Sequence, residues 1–244
     1  MILEMDFGNS RIKWRLRDGQ NVISRSAVAR EKGLAEIKSA IQNNIKSVNA
    51  VWVASVLDEN AKAWINFWVR KNIGVTPVYA ISKTEVAGVF NGYDDPGRLG
   101  VDRWLAMIAA FNRCRTACIV ISSGTALTVD LIDRGGRHLG GYIVPGWNTS
   151  MVALNQNTQL INVKELKVSK LEPGTYTQSA VVHGLSACYV GLIQNAITQL
   201  TAQTGVSDHT ILATGGEAGR LLDFFPDIQV HEELILDGLA YCLV

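Results

Sequence analysis

The sequence predicts an α/β protein built from two similar half-domains, and three observations lead there. Short apolar runs of strand length alternate with helix-length stretches along the whole chain, the pattern of mixed α/β architectures. A strand–glycine turn–strand unit opens the chain at residues 1–16, and a similar unit recurs at 117–132. No Pro-, Gly- or Ser-rich linker separates independent modules. The two halves are therefore expected to join directly around residues 112–116, as an N-terminal half over 1–113 and a C-terminal half over 114–244.

The elements follow in order. Met1–Met5 reads as a strand, Gly8-Asn9-Ser10 as a turn, and Arg11–Leu16 as a second strand in which Arg11, Lys13 and Arg15 alternate with Ile12, Trp14 and Leu16, a period of two. Glu31–Asn43 and Asn60–Lys71 are helix-like, Ala50–Ser55 is an apolar buried strand, and Val75–Ile81 is another strand. Residues 91–97, Asn-Gly-Tyr-Asp-Asp-Pro-Gly, are dense in turn formers and form a loop. A helix starts near Asp102 and runs to about Arg113. Ala117–Ile121, Ala126–Ile132 and His138–Val144 are strands separated by the turns Ser122–Thr125 and Asp133–Arg137; Thr210–Ala213 is a strand, and Asp237–Leu243 closes as a helix.

The chain has 244 residues, 48% apolar and 18% charged, with 23 Lys+Arg against 22 Asp+Glu for a net charge of +1. That balance argues against a nucleic-acid partner bound by bulk electrostatics. The longest unbroken apolar run, Trp104–Phe111, has eight residues, against the ~20 needed to span a bilayer. An acidic N-terminus with no basic region before a long apolar core does not read as a signal peptide, so the expectation is a cytoplasmic protein without a membrane partner. Cys114, Cys118, Cys188 and Cys242 include no CxxC pair and are expected to be buried, inert thiols. The four histidines are scattered, with no metal-ligand spacing.

Four segments can carry chemistry. Asp6-Phe7-Gly8-Asn9-Ser10 with Lys13 places a carboxylate, backbone N–H groups, a hydroxyl and a cation together, the parts that hold phosphates and hydrated Mg²⁺; the plain alternative is a hairpin whose aspartate caps its own turn. Ser122-Ser123-Gly124-Thr125 is a second glycine turn with hydroxyls, or an ordinary tight hairpin. Thr214-Gly215-Gly216-Glu217-Ala218 allows close approach of a flat ring or sugar, or supplies a strand-to-helix turn needing positive φ. Asp102 beside Arg103 is either a base with a carboxylate-binding arginine or a helix N-cap.

Taken together, these pieces resemble the type III pantothenate kinases of the acetate and sugar kinase/Hsp70/actin superfamily. The resemblance spans the chain: Asp6-x-Gly8-Asn9-Ser10-x-x-Lys13, Asn91-Gly92-Tyr93, Arg98-Leu99-Gly100-x-Asp102-Arg103-Trp104, Gly124-Thr125-Ala126-x-Thr128-x-Asp130, His138-x-Gly140-Gly141-x-Ile143-x-Pro145-Gly146, Pro173-Gly174 with Thr177, and Thr214-Gly215-Gly216. It implies two ribonuclease-H-like halves, an actin-like ATPase fold, around a central cleft. It also implies a homodimer with a shared active site and ATP-dependent phosphorylation of pantothenate in coenzyme A biosynthesis.

By the same resemblance, Asp6, Phe7, Gly8, Asn9, Ser10, Arg11, Ile12 and Lys13 line ATP, with Asp6 near Mg²⁺, and Thr125 also touches ATP. Tyr93, Gly100, Val101, Asp102 and Arg103 hold pantothenate, Arg103 through its carboxylate, and Asp102 is the catalytic base. Thr177 reaches the pantothenate site of the other subunit. One position departs from the family pattern: Ser122 stands where the family has an aspartate that binds K⁺ or NH₄⁺, so dependence on a monovalent cation is expected to be weak. Two other readings compete, a non-catalytic transcription-accessory or regulatory protein on the same scaffold, and a kinase for another small hydroxyl substrate.

Overall fold

A computed structural model describes residues 1–161, 163, 170–205 and 207–243. The chain divides into two compact units, Met1–Asn112 with Glu233–Val244, and Arg113–Glu232. Each contains a five-stranded sheet. In the first, strands β1 (Ile2–Phe7), β2 (Arg11–Asp18), β3 (Asn21–Ala29), β4 (Ala50–Ser55) and β5 (Val78–Tyr79) lie in the order β3-β2-β1-β4-β5. The pairs β1/β2 and β2/β3 are antiparallel, while β1/β4 and β4/β5 are parallel. The first unit also holds a small hairpin of β6 (Glu85–Val86) and β7 (Val89–Phe90).

The second unit repeats the plan. Strands β8 (Cys118–Ser123), β9 (Ala126–Ile132), β10 (His138–Pro145), β11 (Thr210–Thr214) and β12 (Gln229–Val230) are ordered β10-β9-β8-β11-β12. Again the first two pairs are antiparallel and the last two parallel. The repeat expected from two glycine turns is thus a repeat of strand order and direction.

Alternation along β1 and β2 decides what each face of the first sheet carries. Leu3, Met5 and Phe7 on β1 and Ile12, Trp14 and Leu16 on β2 enter one core with Leu34, Ile37 and Ile41 of helix α1 (Gly33–Ile41) and Ile65 and Val69 of helix α2 (Glu59–Asn72). Burial of each such side chain contributes roughly 1.5–3 kcal/mol. The intervening residues, Glu4 and Asp6 opposite Arg15 and Lys13, form a charged row on the other face. There Arg15 donates from Nε to Glu4 (2.6 Å) and from Nη1 to Glu233 (2.8 Å) and Asp237 (2.7 Å).

Those last two carboxylates sit at the start of the terminal helix, which we number α6 (Leu234–Leu243), after α3 (Val101–Cys114), α4 (Trp147–Asn157) and α5 (Thr177–Thr204). Helix α6 corrects the expected boundary: it packs with the first unit, not the second. Its ion pairs with Arg15 hold it there, and Gly238 lies so close to the Leu105 carbonyl of α3 that any side chain would collide.

Other expectations need adjustment. The strand expected at Val75–Ile81 is only Val78–Tyr79, and the terminal helix begins at Leu234. Strand β3 and helices α4 and α5 are additional to the elements expected from the sequence. Helix α5 is long and apolar enough to cross a membrane by length and composition, yet Val182, Tyr189, Ile193, Ala196 and Leu200 join the second core with Ile119, Ile121, Leu127, Val129, Trp147 and Met151. Among the described residues the cysteines form no disulfide, but only Cys118 and Cys242 are buried: Cys114 is half-buried, and Cys188 is exposed on the outer side of α5.

Candidate active site

In the first unit, β1 delivers Asp6 to the edge of a tight turn closed by the Gly8 N–H donating to the Arg11 carbonyl (3.0 Å). Asn9, Ser10 and Arg11 are exposed, whereas the Phe7 and Ile12 side chains lie wholly in the core. Any contact of Phe7 or Ile12 with a ligand in this conformation is therefore restricted to their backbone. Asp6 faces Lys13 across the β1–β2 ladder and is only 8% exposed. Burial pushes its carboxyl up to about 7; Lys13 opposes that rise and the charge of Asp102 adds to it. Those electrostatic contacts bring Asp102, far away in sequence, to the Asp6–Lys13 pair.

Asp102 is the second residue of α3, not its N-cap: the helix starts at Val101, and the Trp104 N–H donates to the Gly100 carbonyl (3.0 Å). Its Oδ1 accepts the Arg103 backbone N–H (2.8 Å). A side chain at Gly100 would approach that same oxygen to 2.8 Å, so glycine keeps the carboxylate uncrowded. Arg103 is 6% exposed, and its guanidinium donates to the Tyr93 hydroxyl (2.8 Å) and lies 5.7 Å from the centre of that ring. The loop that presents Tyr93 is built by Asn91, which accepts the Tyr93 N–H and donates to the carbonyls of Lys83 and Pro96. Asp95 caps the short turn at Pro96–Arg98, and Ser82 holds the Leu99 carbonyl. Val101 is buried.

In the second unit Ser122 and Ser123, expected in the turn, extend β8 instead, so the turn is only Gly124-Thr125, closed by the Gly124 N–H donating to the Ala126 carbonyl (3.0 Å). Thr125 is exposed, and its carbonyl accepts from the Gly146 N–H and the Thr149 hydroxyl. Gly146 packs on Gly124, and Gly215, with φ of 103°, packs on Ser123; a side chain at either position would strike that backbone. The two glycine motifs thus have a structural use, clamping the turn from α4 and from the end of β11. Ser122 is half-buried between Thr128 and Thr214 on the neighbouring strands. Thr177 is the exposed first residue of α5.

Sequence reasoning missed a buried pair, His138 and Asp130, whose Nε2 and Oδ1 lie 2.9 Å apart. Each belongs to a separate sequence motif, and only the β9–β10 pairing brings them together. Among the described residues no group of three or more His, Cys, Asp or Glu is arranged to hold a metal. Mg²⁺ does not require one, since it is commonly held by one or two carboxylates plus substrate phosphates. Asp6, a buried carboxyl whose charged form is disfavoured, suits such an ion.

The sequence model of the type III pantothenate kinase family matches residues 2–199. A type III pantothenate kinase of Pseudomonas savastanoi pv. phaseolicola is 38% identical over 98% of both chains. That of Cellvibrio japonicus is 32% identical over 98% of this chain and 95% of its own. Among solved structures, a protein described as a Baf family transcriptional activator from Campylobacter jejuni superposes with a TM-score of 0.63 at 21% identity, covering 98% of this chain and 95% of that one. A protein described as a 2-dehydro-3-deoxygalactonokinase from Sinorhizobium meliloti does so with a TM-score of 0.59 at 10% identity, covering 98% and 97%. These two likenesses concern the fold alone, whereas the curated relatives concern the family. The chain belongs to the type III pantothenate kinase family.

Proposed function

We propose that this protein transfers the γ-phosphoryl group of ATP to the primary hydroxyl of pantothenate, the first step of coenzyme A biosynthesis. The observation that carries the reading within the chain is the convergence of Asp6, Lys13 and Asp102 beside the Arg103–Tyr93 pair. Phosphoryl transfer asks a protein mainly for positioning and charge neutralisation. The turn at Gly8–Ser10, exposed at Asn9 and Ser10, offers backbone N–H groups and a hydroxyl to phosphates, and Lys13 adds a positive charge. Mg²⁺ held at Asp6 supplies further neutralisation of the phosphates when bound.

Asp102 orients the substrate hydroxyl and takes its proton. Arg103 receives the substrate carboxylate, with Tyr93 fixing the guanidinium and the Gly100–Val101 backbone lining the same pocket. Thr177 acts in the site of a second subunit of a homodimer. Support for that dimer comes from α5, whose exposed side carries the small residues Ala180, Gly184, Ala187, Cys188 and Gly191, with open space where Gly184 and Gly191 lack side chains. Ile143, 61% exposed, and Tyr176, 61% exposed, add apolar surface in the same unit, of the kind that marks protein contacts. At Ser122 a hydroxyl replaces a charge, and we infer that activity is nearly indifferent to K⁺.

The test is ATP consumption over a panel of small hydroxyl substrates by the wild type and Asp102→Asn. Turnover on pantothenate alone, falling about 10²–10⁴-fold in the variant, is expected of a positioned base. Turnover on a different hydroxyl compound would redirect the substrate assignment. No turnover on any would favour the regulatory alternative.

A further inference from the structure

We propose that Cys114 and Cys118 form a hydroperoxide-reactive dithiol that closes reversibly into an intramolecular disulfide. Cys114 is the last residue of α3 and Cys118 the first of β8. The three residues between them must reverse the chain. Arg115 does so with φ of 52°, a left-handed backbone that costs a non-glycine residue about 1–2 kcal/mol. The turn brings the two thiols close enough to act on each other's ionisation, and the Cys114 thiol also reaches the Thr116 carbonyl at 3.6 Å inside the same turn. The pair is also asymmetric in access: Cys114 is half-buried, while Cys118 is fully buried in the second core.

That asymmetry assigns the roles. The Cys118 thiol and the charge of Arg115 favour the Cys114 thiolate and, against the opposing effect of burial, hold its pKa down at about 6. Contact with Cys114 and burial push the Cys118 thiol well up. Cys114 is thus the attacking sulfur and Cys118 the resolving one. In the first step the Cys114 thiolate attacks one oxygen of hydrogen peroxide. The O–O bond breaks, and with one proton the products are a sulfenic acid and water. In the second, the Cys118 sulfur attacks the sulfenic sulfur, and the departing hydroxide takes the Cys118 proton as water. Two thiols and one peroxide give one disulfide and two waters, the sulfurs losing two electrons and the peroxide gaining them. The other two cysteines lack this arrangement: Cys188 is exposed on α5, and burial pushes the Cys242 thiol up to about 11. The inference does not depend on the kinase reading.

The experiment treats the reduced full-length protein with one equivalent of hydrogen peroxide at pH 6, alkylates it under denaturing conditions with N-ethylmaleimide, and maps the peptides by mass. Two of the four thiols are expected to escape alkylation as a Cys114–Cys118 linked pair, with both recovered after dithiothreitol. A thiol held toward its thiolate meets peroxide first, so Cys114 should be consumed before Cys188 although Cys188 is the more exposed. Cys114→Ser should abolish the linkage, and Cys118→Ser should leave a sulfenic acid on Cys114 that dimedone traps. Since Cys118 lies in the core, the wild-type map decides the matter should that variant not fold. Consumption of Cys188 ahead of Cys114, or oxidation of Cys114 without linkage to Cys118, would overturn the proposal.

Discussion

Asp6 should make the metal-free protein less stable as pH rises, and replacing it with asparagine should remove that dependence. Its carboxyl is raised from 3.8 to about 7 by burial, with Asp102 adding and Lys13 opposing. A carboxyl raised in the folded state binds its proton more tightly there than in the unfolded chain. Stability from this group is therefore present below about pH 4 and is lost as pH rises to about 7. Between pH 5 and pH 8 the loss comes to about 3 kcal/mol, because each pH unit in which only the folded chain keeps the proton costs about 1.4 kcal/mol. Constant effects of the Asp6→Asn substitution, such as a poorer contact with Lys13, cancel in the difference between the two pH values. Thermal unfolding of both proteins in chelator-treated buffer from pH 5 to pH 8 is the assay. The wild type should fall relative to the variant by roughly 6–12 °C across that range, taking 2–4 °C per kcal/mol for a chain of this size. The variant should also lose kinase activity. Parallel curves for the two proteins would refute the claim that a buried, ionisable Asp6 is held at an energetic cost.

Ser122→Asp should acquire activation by K⁺, since a carboxylate attracts a monovalent cation by about 4 kcal/mol at 4 Å and an effective dielectric of 20 before desolvation; the wild type should run within about threefold in sodium and potassium buffers. Strong K⁺ activation of the wild type would show that backbone oxygens suffice. Thr177→Ala mixed with Asp102→Asn should recover up to about half of wild-type activity per heterodimer, because one of its two sites carries neither lesion. No recovery after verified subunit exchange would place Thr177 within its own chain's chemistry or outside it. Glu4→Gln leaves the buried Arg15 and the half-buried Arg17 without their shared carboxylate and should cost about 3–5 kcal/mol in denaturant unfolding. A loss below about 1 kcal/mol would mean that Glu233 and Asp237 compensate.

What is legible in the sequence follows from where burial leaves a local pattern. In β2, core and polar residues alternate because one face enters the core, so the period of two and the turn before it can be read directly. Strand β3 is an edge strand, exposed along most of its length, and burial imposes no alternation on Asn21–Ala29. Helix α5 packs large residues at Val182, Tyr189 and Ile193 but lines its outer side with alanine, glycine and cysteine, so no one-sided apolar stripe marks it. The family resemblance supplies the site residues; geometry adds which of their atoms are available. It moves Phe7 and Ile12 into the core, takes Asp102 out of the cap position, and gives Gly146 and Gly215 a use as clamps. The meeting of Asp6 with Asp102, and of Asp130 with His138, depends on tertiary pairing that no local window contains.

The most direct test of the central claim is the product itself. The purified protein is incubated with ATP, Mg²⁺ and pantothenate, and phosphorylated product is identified by phosphorus NMR and mass spectrometry. The account predicts phosphopantothenate, phosphorylated at the primary hydroxyl, in equal amount to the ADP formed, and none when Asp6→Asn replaces the wild type. ADP formed without phosphopantothenate, or no reaction across sodium, potassium and ammonium salts, would contradict it.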